Sequence, residues 1–136
     1  MLFLYNNDKL VADWVSKKWG KPLQNWYFAI GVLNKNGILS GAATFHNYNG
    51  YNIELAYYGP NTVTTQLFRE IGDFCFNKLK VERISVMIPR KSSSMVRNLP
   101  KFGFKLEGII RHYYGPFKRD DGFLYGILAS EGKRYL

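Results

Sequence analysis

The chain has 136 residues, 46% hydrophobic and 21% charged, a balance that excludes a disordered or collagen-like polypeptide and predicts one domain over residues 1–136. Aromatic residues reach 17%, with 10 Tyr, 10 Phe and 3 Trp, enough large side chains to build a substantial core. Lys and Arg number 19 against 10 Asp and Glu, and the resulting +9 favours anionic partners such as phosphorylated cofactors or nucleic acid; solubility alone is the competing explanation.

Met1 to Tyr5 reads as a first strand: it has no basic flank and is too short for a signal peptide. Asp8 to Trp19 follows as an amphipathic helix, with Leu10, Val11, Trp14, Val15 and Trp19 at helical spacing, Asp8 as N-cap, and Gly20 with Pro22 as the stop. From Trp26 the period changes. Trp26 to Leu33, Ile38 to Tyr48 and Tyr51 to Tyr58 read as three antiparallel strands, turned at Asn36-Gly37 and Asn49-Gly50. The breaker cluster Gly59-Pro60-Asn61-Thr62 opens a long helix to about Lys80, whose apolar side carries Val63, Leu67, Phe68, Ile71, Phe74, Cys75 and Leu79. Ile84, Val86 and Ile88 alternate in a strand that ends at Pro89, and Ser92 to Lys101 forms a short helix with an irregular end at Pro100. Lys105 to Tyr114 and Phe123 to Ala129 complete the strands, joined by a loop with Asp120-Asp121-Gly122. No apolar run approaches the roughly 18 residues of a membrane span, so no membrane partner is expected. The single Cys75 leaves no internal disulfide and no Cys-rich zinc site; it predicts a cytoplasmic protein without a metal.

This order of elements resembles the GNAT superfamily of acyl-CoA-dependent N-acyltransferases. The most specific stretch is Lys101-Phe102-Gly103-Phe104-Lys105-Leu106-Glu107-Gly108-Ile109-Ile110-Arg111, similar to the K-x-G-F-x-x-E-G-x-x-R run of the branch that acetylates protein N-termini and antibiotics; Arg97 matches that branch's upstream Arg. The resemblance covers roughly residues 26–128, and Gly59 to Thr64 looks most like small phage-encoded members, which would act in the host cytoplasm. It implies an α/β (α+β) fold with a mixed, mostly antiparallel seven-stranded sheet flanked by helices. The implied cofactor is acetyl-CoA, and the implied partner an amine acceptor that attacks directly in a ternary complex. Cys75, on the apolar helix face, reads as core rather than as a covalent carrier. Monomer and homodimer both stay open.

The resemblance also implies a site. The backbone of Leu55, Ala56, Tyr57 and Tyr58 would pair with the cofactor's pantetheine arm, and Asn61, Thr62, Val63, Thr64, Thr65 and Gln66 stand where the family holds the pyrophosphate. The paired glycines usual there are missing. A helix N-terminus and threonine hydroxyls still suit an anion, while the competing reading makes these threonines helix caps only. Arg90, Lys91, Ser92 and Arg97 fall on the cofactor side, as phosphate-facing cations and a pantetheine contact. For catalysis, Glu54 on the fourth strand is the candidate base, set among apolar neighbours, with His46 as the other. The family's tyrosine acid is replaced by Leu99, which leaves Ser92 and Tyr114 as candidate acids. Two other functions compete: a GNAT-fold protein that modifies or binds nucleic acid, as in phage DNA modification, and a non-catalytic interaction protein on the same fold.

Overall fold

The computed structural model describes residues 2–60 and 64–132. Its strands are β1 (Leu2–Leu4), β2 (Trp26–Leu33), β3 (Leu39–His46), β4 (Asn52–Tyr58), β5 (Arg83–Pro89), β6 (Lys105–Ile110) and β7 (Gly122–Leu128). They form a seven-stranded sheet in the order β1-β2-β3-β4-β5-β7-β6. Every adjacent pair is antiparallel except β4 and β5, which run parallel. The helices are α1 (Asp8–Trp19), α2 (Thr65–Gly72), α3 (Ser93–Asn98) and α4 (Ala129–Gly132). This is the mixed, mostly antiparallel α+β architecture expected from the sequence.

Both Asn-Gly pairs turn the chain, the first helped by the nearby Asn34 and the second by its own Asn49. The Asn34 carboxamide oxygen accepts from the backbone N–H groups of Asn36 and Ile38, and that of Asn49 from Tyr51 and Asn52. Strand alternation then sorts side chains to two faces. Phe45, Ile53, Leu55, Ile84, Val86, Ile88, Tyr125 and Ile127 join Leu67, Phe68, Ile71 and Cys75 in the main core. Phe45, Ile53, Leu67 and Ile84 are fully buried, each contributing roughly 1.5–3 kcal/mol relative to an exposed side chain. On the opposite face, Val11 and Val15 of α1 pack on Ala29 and Ala42. A β-carbon on Gly31 would lie 3.3 Å from the Val11 side chain and 2.6 Å from that of Leu39, so glycine there lets α1 sit close to the sheet. Among the described residues no helix is long and apolar enough to cross a membrane.

Three local readings need correction. Asn7, not Asp8, is the N-cap of α1; Asp8 begins the helix, and its carboxylate accepts a hydrogen bond from the backbone N–H of Ala29 at 3.0 Å. The long helix is not uniformly α: Asp73–Lys78 is a π-helical turn, closed by Leu79 N–H donating to the Phe74 carbonyl. Finally, β6 stops at Ile110 rather than Tyr114. The Asp121 carboxylate takes the backbone N–H of His112 and the Asp120 carbonyl takes that of Tyr114, which folds residues 111–114 into the loop.

Candidate active site

The site follows from one break in the sheet. β4 pairs with β3 as far as Tyr58 opposite Ala42, and β5 pairs with β7 as far as Pro89 opposite Gly122. Between themselves β4 and β5 pair only at Asn52–Arg83, Ile53–Ile84 and Glu54–Ser85. From Leu55 onward the two strands diverge. A cavity of about 640 Å³ opens on the α2 side of the gap, and a groove of about 510 Å³ lies on the α1 side. Leu55, Ala56, Tyr58 and Met87 line both, so the two spaces meet at the gap.

The α2-side cavity is apolar in its depth, where Leu67, Phe68, Ile71, Val86 and Ile88 surround the β4 backbone, and polar at Lys91, Ser92, Ser93, Ser94 and Tyr114. Pantetheine, an alkyl chain interrupted by amides, suits such a cavity, because diverged strand backbone can pair with the amides. Leu55, Ala56, Tyr57 and Tyr58 all line it. Just past β4, Gly59 has φ +154°, and a β-carbon there would meet the Tyr57 hydroxyl at 2.8 Å and Gly41 Cα at 2.9 Å. Glycine is required at that point for the chain to leave the sheet.

At the α2 N-terminus, the Thr64 hydroxyl accepts from Leu67 N–H at 3.2 Å and so caps the helix. Thr65 and Gln66 are exposed in the first turn, while Asn61, Thr62 and Val63 lie outside the described residues. The basic residues divide. Arg90 pairs with the buried carboxylate of Asp121 at 3.6 Å, and Lys91 with that of Asp120 at 3.5 Å. Lys91 also lines the cavity, whereas Arg90 and the exposed Arg97 do not. Ser92 lines the cavity just before α3.

The catalytic candidates also divide between the two sides. Glu54 and His46 are cross-strand partners in the β3–β4 ladder, and both line the α1-side groove. Glu54 is exposed and accepts from the Asn47 side chain at 2.9 Å; the apolar surroundings read from its strand neighbours belong to the opposite face. His46 is held at both ring nitrogens. Nδ1 lies 2.7 Å from the Gln24 carbonyl and Nε2 lies 2.7 Å from the Thr44 hydroxyl. A carbonyl only accepts, so Nδ1 carries the hydrogen, and in the neutral ring Nε2 accepts from Thr44. The lone pair a base needs is therefore engaged. Across the gap, the Tyr114 hydroxyl donates to the Met87 carbonyl at 3.2 Å, and its pKa is pushed up to about 12 by burial first, then by Tyr113 and Tyr58. Burial raises Tyr58 as well. Both are neutral phenols at physiological pH.

Three side chains of the site escaped sequence reasoning, although the backbone of Tyr58 is among the expected cofactor contacts. Tyr58 brings its side chain as well as its backbone, Met87 lines both spaces, and Trp19 stands against Tyr58 with ring centroids 5.1 Å apart. For Met87 a signal existed: Ile84, Val86 and Ile88 alternate toward the core, which leaves Met87 on the other face. Cys75 is fully buried in the main core, and burial pushes its thiol up.

No protein-family model and no curated protein matches the sequence. Solved structures do match its fold. Mutant forms of the spermidine/spermine N-acetyltransferase SpeG from Vibrio cholerae superpose with a TM-score of 0.69 at 18% identity, over 79% of this chain and 67% of that one. A GCN5-related N-acetyltransferase from Brucella melitensis gives 0.65 at 23% identity, over 79% of this chain and 55% of the other. A GNAT-family acetyltransferase from Bacillus anthracis gives 0.65 at 20% identity, over 88% and 73%. The fold is that of GNAT acetyltransferases.

Proposed function

We propose that the chain is an acetyl-CoA-dependent N-acetyltransferase that passes an acetyl group to an amine by direct attack. One observation carries this reading: β4 and β5 diverge after Glu54, and the two spaces on either side of the sheet meet at Leu55, Ala56, Tyr58 and Met87. A reaction between two bound molecules needs such an opening between two sites. Likeness of fold to N-acetyltransferases supports the assignment.

Acetyl-CoA in the α2-side cavity supplies the activated acyl group, a thioester open to attack by an amine. The chain's own groups provide the rest. The backbone of residues 55–58 would hold the pantetheine amides, and the apolar depth around Phe68 and Val86 would exclude water from the reacting centre. Glu54 takes the proton that the attacking amine must lose, and the Asn47 hydrogen bond fixes one of its oxygens. The thioester C–S bond breaks as the amide bond forms, and Tyr58 or Tyr114, neutral phenols lining the cavity, would supply the proton that the departing CoA thiolate takes up. Cys75 takes no part, since a fully buried thiol cannot carry an acyl group between the two sites.

Calorimetric titration with acetyl-CoA and with CoA tests the reading. Binding tighter than ~1 mM at low salt, about 4 kcal/mol, is expected. Weaker binding overturns it.

A further inference from the structure

The α1-side groove carries information about which amine enters, and this inference rests on the acetyltransferase reading above. The groove runs along β4 from Glu54 to Tyr58, residues on the same sheet face, about 13 Å apart by strand rise. Ala56 lies between them and leaves the floor low. At one end stands Glu54, the only carboxylate among the described lining residues. At the other, Tyr58 and Trp19 meet edge to face at 5.1 Å and 63°. Trp19 is 43% exposed, so part of its indole is available to an occupant. Lys21 lines the same groove, so its lining carries one anionic and one permanently cationic side chain, leaving room for a single added positive charge at Glu54.

We propose that the acceptor is a monocationic arylalkylamine: a primary amine on a short alkyl linker bearing an aromatic ring. Its ammonium pairs with Glu54 beside the opening, its linker crosses Ala56, and its ring packs against Tyr58 and Trp19, which offer ring faces and edges for aromatic contact. A polyamine fits this groove poorly. One ammonium has Glu54, but a second finds no carboxylate among the described lining residues and meets the like charge of Lys21. The groove thus differs in charge from what a polycation requires, although the fold is shared with spermidine N-acetyltransferases.

Two measurements test this on the full chain. The first is calorimetric binding of phenethylamine and of spermidine without cofactor, which reports on the groove even if acetyl-CoA fails to bind. Phenethylamine should bind at least tenfold tighter. Trp19→Leu, which keeps an apolar side chain and removes the ring, should weaken phenethylamine at least fivefold and leave spermidine unchanged. Lys21→Glu should strengthen spermidine at least fivefold. Equal or tighter binding of spermidine by the wild type, or indifference of phenethylamine to Trp19→Leu, overturns the proposal. The second is CoA release from acetyl-CoA with phenethylamine, spermidine and a short peptide with a free N-terminus. Preferred turnover of phenethylamine is expected. Preference for the peptide or for spermidine overturns the acceptor assignment, as does binding of phenethylamine and acetyl-CoA without transfer. Failure of acetyl-CoA to bind, with phenethylamine binding intact, overturns the acetyltransferase reading and leaves the groove's selectivity standing.

Discussion

The two spaces that meet at the β4–β5 gap are built on different principles. The α2-side cavity presents strand backbone and a shell of aliphatic and aromatic core residues, so many sequences would make it. The α1-side groove presents individual side chains, Glu54, His46, Lys21, Trp19 and Tyr58, whose identity decides what it can hold. Backbone and packing suit a constant partner, and chemically distinct side chains suit the variable one. Substitutions that affect one space and spare the other test this division.

The largest effect is expected on the groove side. Glu54→Gln keeps the shape and the contact with Asn47 while removing the proton acceptor, and should lower kcat/KM about 10²-fold with the affinity for acetyl-CoA unchanged. His46→Gln should cost far less in turnover, because both ring nitrogens already serve the Gln24 carbonyl and the Thr44 hydroxyl. Steady-state kinetics beside a calorimetric titration separates the two. If His46→Gln abolished turnover and Glu54→Gln did not, the roles would be reversed.

That division also explains what the sequence revealed. Patterns that act locally were legible: α1 spans Asp8–Trp19 as its periodicity predicts, and each Asn-Gly pair turns the chain between strands. The π turn at Asp73–Lys78 was not, because it shifts hydrogen bonding by one residue without changing which residues are apolar. Long-range pairing was equally hidden. Arg90 and Lys91 read as phosphate-facing cations, yet each meets a buried aspartate that lies far along the chain, and those same aspartates hold the loop after β6. On the cavity side, residues 55–58 carry no side-chain motif, so only the family resemblance pointed to their backbone; the structure shows that they line the cavity. In the groove, Glu54 and His46 stood out as rare residue types, while their alignment across the β3–β4 ladder needed the strand register.

Tyr114 lines the α2-side cavity near its polar mouth, and its loss should cost about tenfold in turnover. Tyr114→Phe also has a signature in stability. The folded phenol titrates at about 12 against an ordinary value of 10, raised chiefly by burial. A group raised in the folded state contributes stability that is fully present below its unfolded pKa and is lost as pH rises through the folded value. The wild type should therefore lose melting temperature between about pH 10 and 12 more steeply than Tyr114→Phe. Parallel curves would mean that the partial burial of Tyr114 does not raise its phenol.

A smaller effect belongs to the cavity mouth. Lys91→Ala should weaken acetyl-CoA binding about threefold to tenfold, with less salt dependence than the wild type, and leave amine binding in the groove untouched. It also leaves the buried Asp120 without its ion pair, so a modest fall in melting temperature accompanies it. Loss of amine binding in this variant would show that the two spaces are not separable.

The smallest effect on turnover is expected at Cys75, and it bears on why two spaces are needed at all. A route through a covalent carrier would let acetyl-CoA leave before the amine arrives, so one space could serve both in turn. Direct transfer requires both at once, which is what two spaces joined at Leu55, Ala56, Tyr58 and Met87 accommodate. Cys75 is the only cysteine of the chain, and it packs in the main core with its thiolate disfavoured by burial. Cys75→Ala should therefore keep kcat within about twofold while lowering stability by about 1 kcal/mol, the ordinary cost of a core truncation this small. Initial rates against both substrates should give intersecting double-reciprocal lines in the wild type and in the variant. Parallel lines in the wild type together with an inactive but folded Cys75→Ala would mean that the thiol carries the acetyl group, and the second space would then need another explanation.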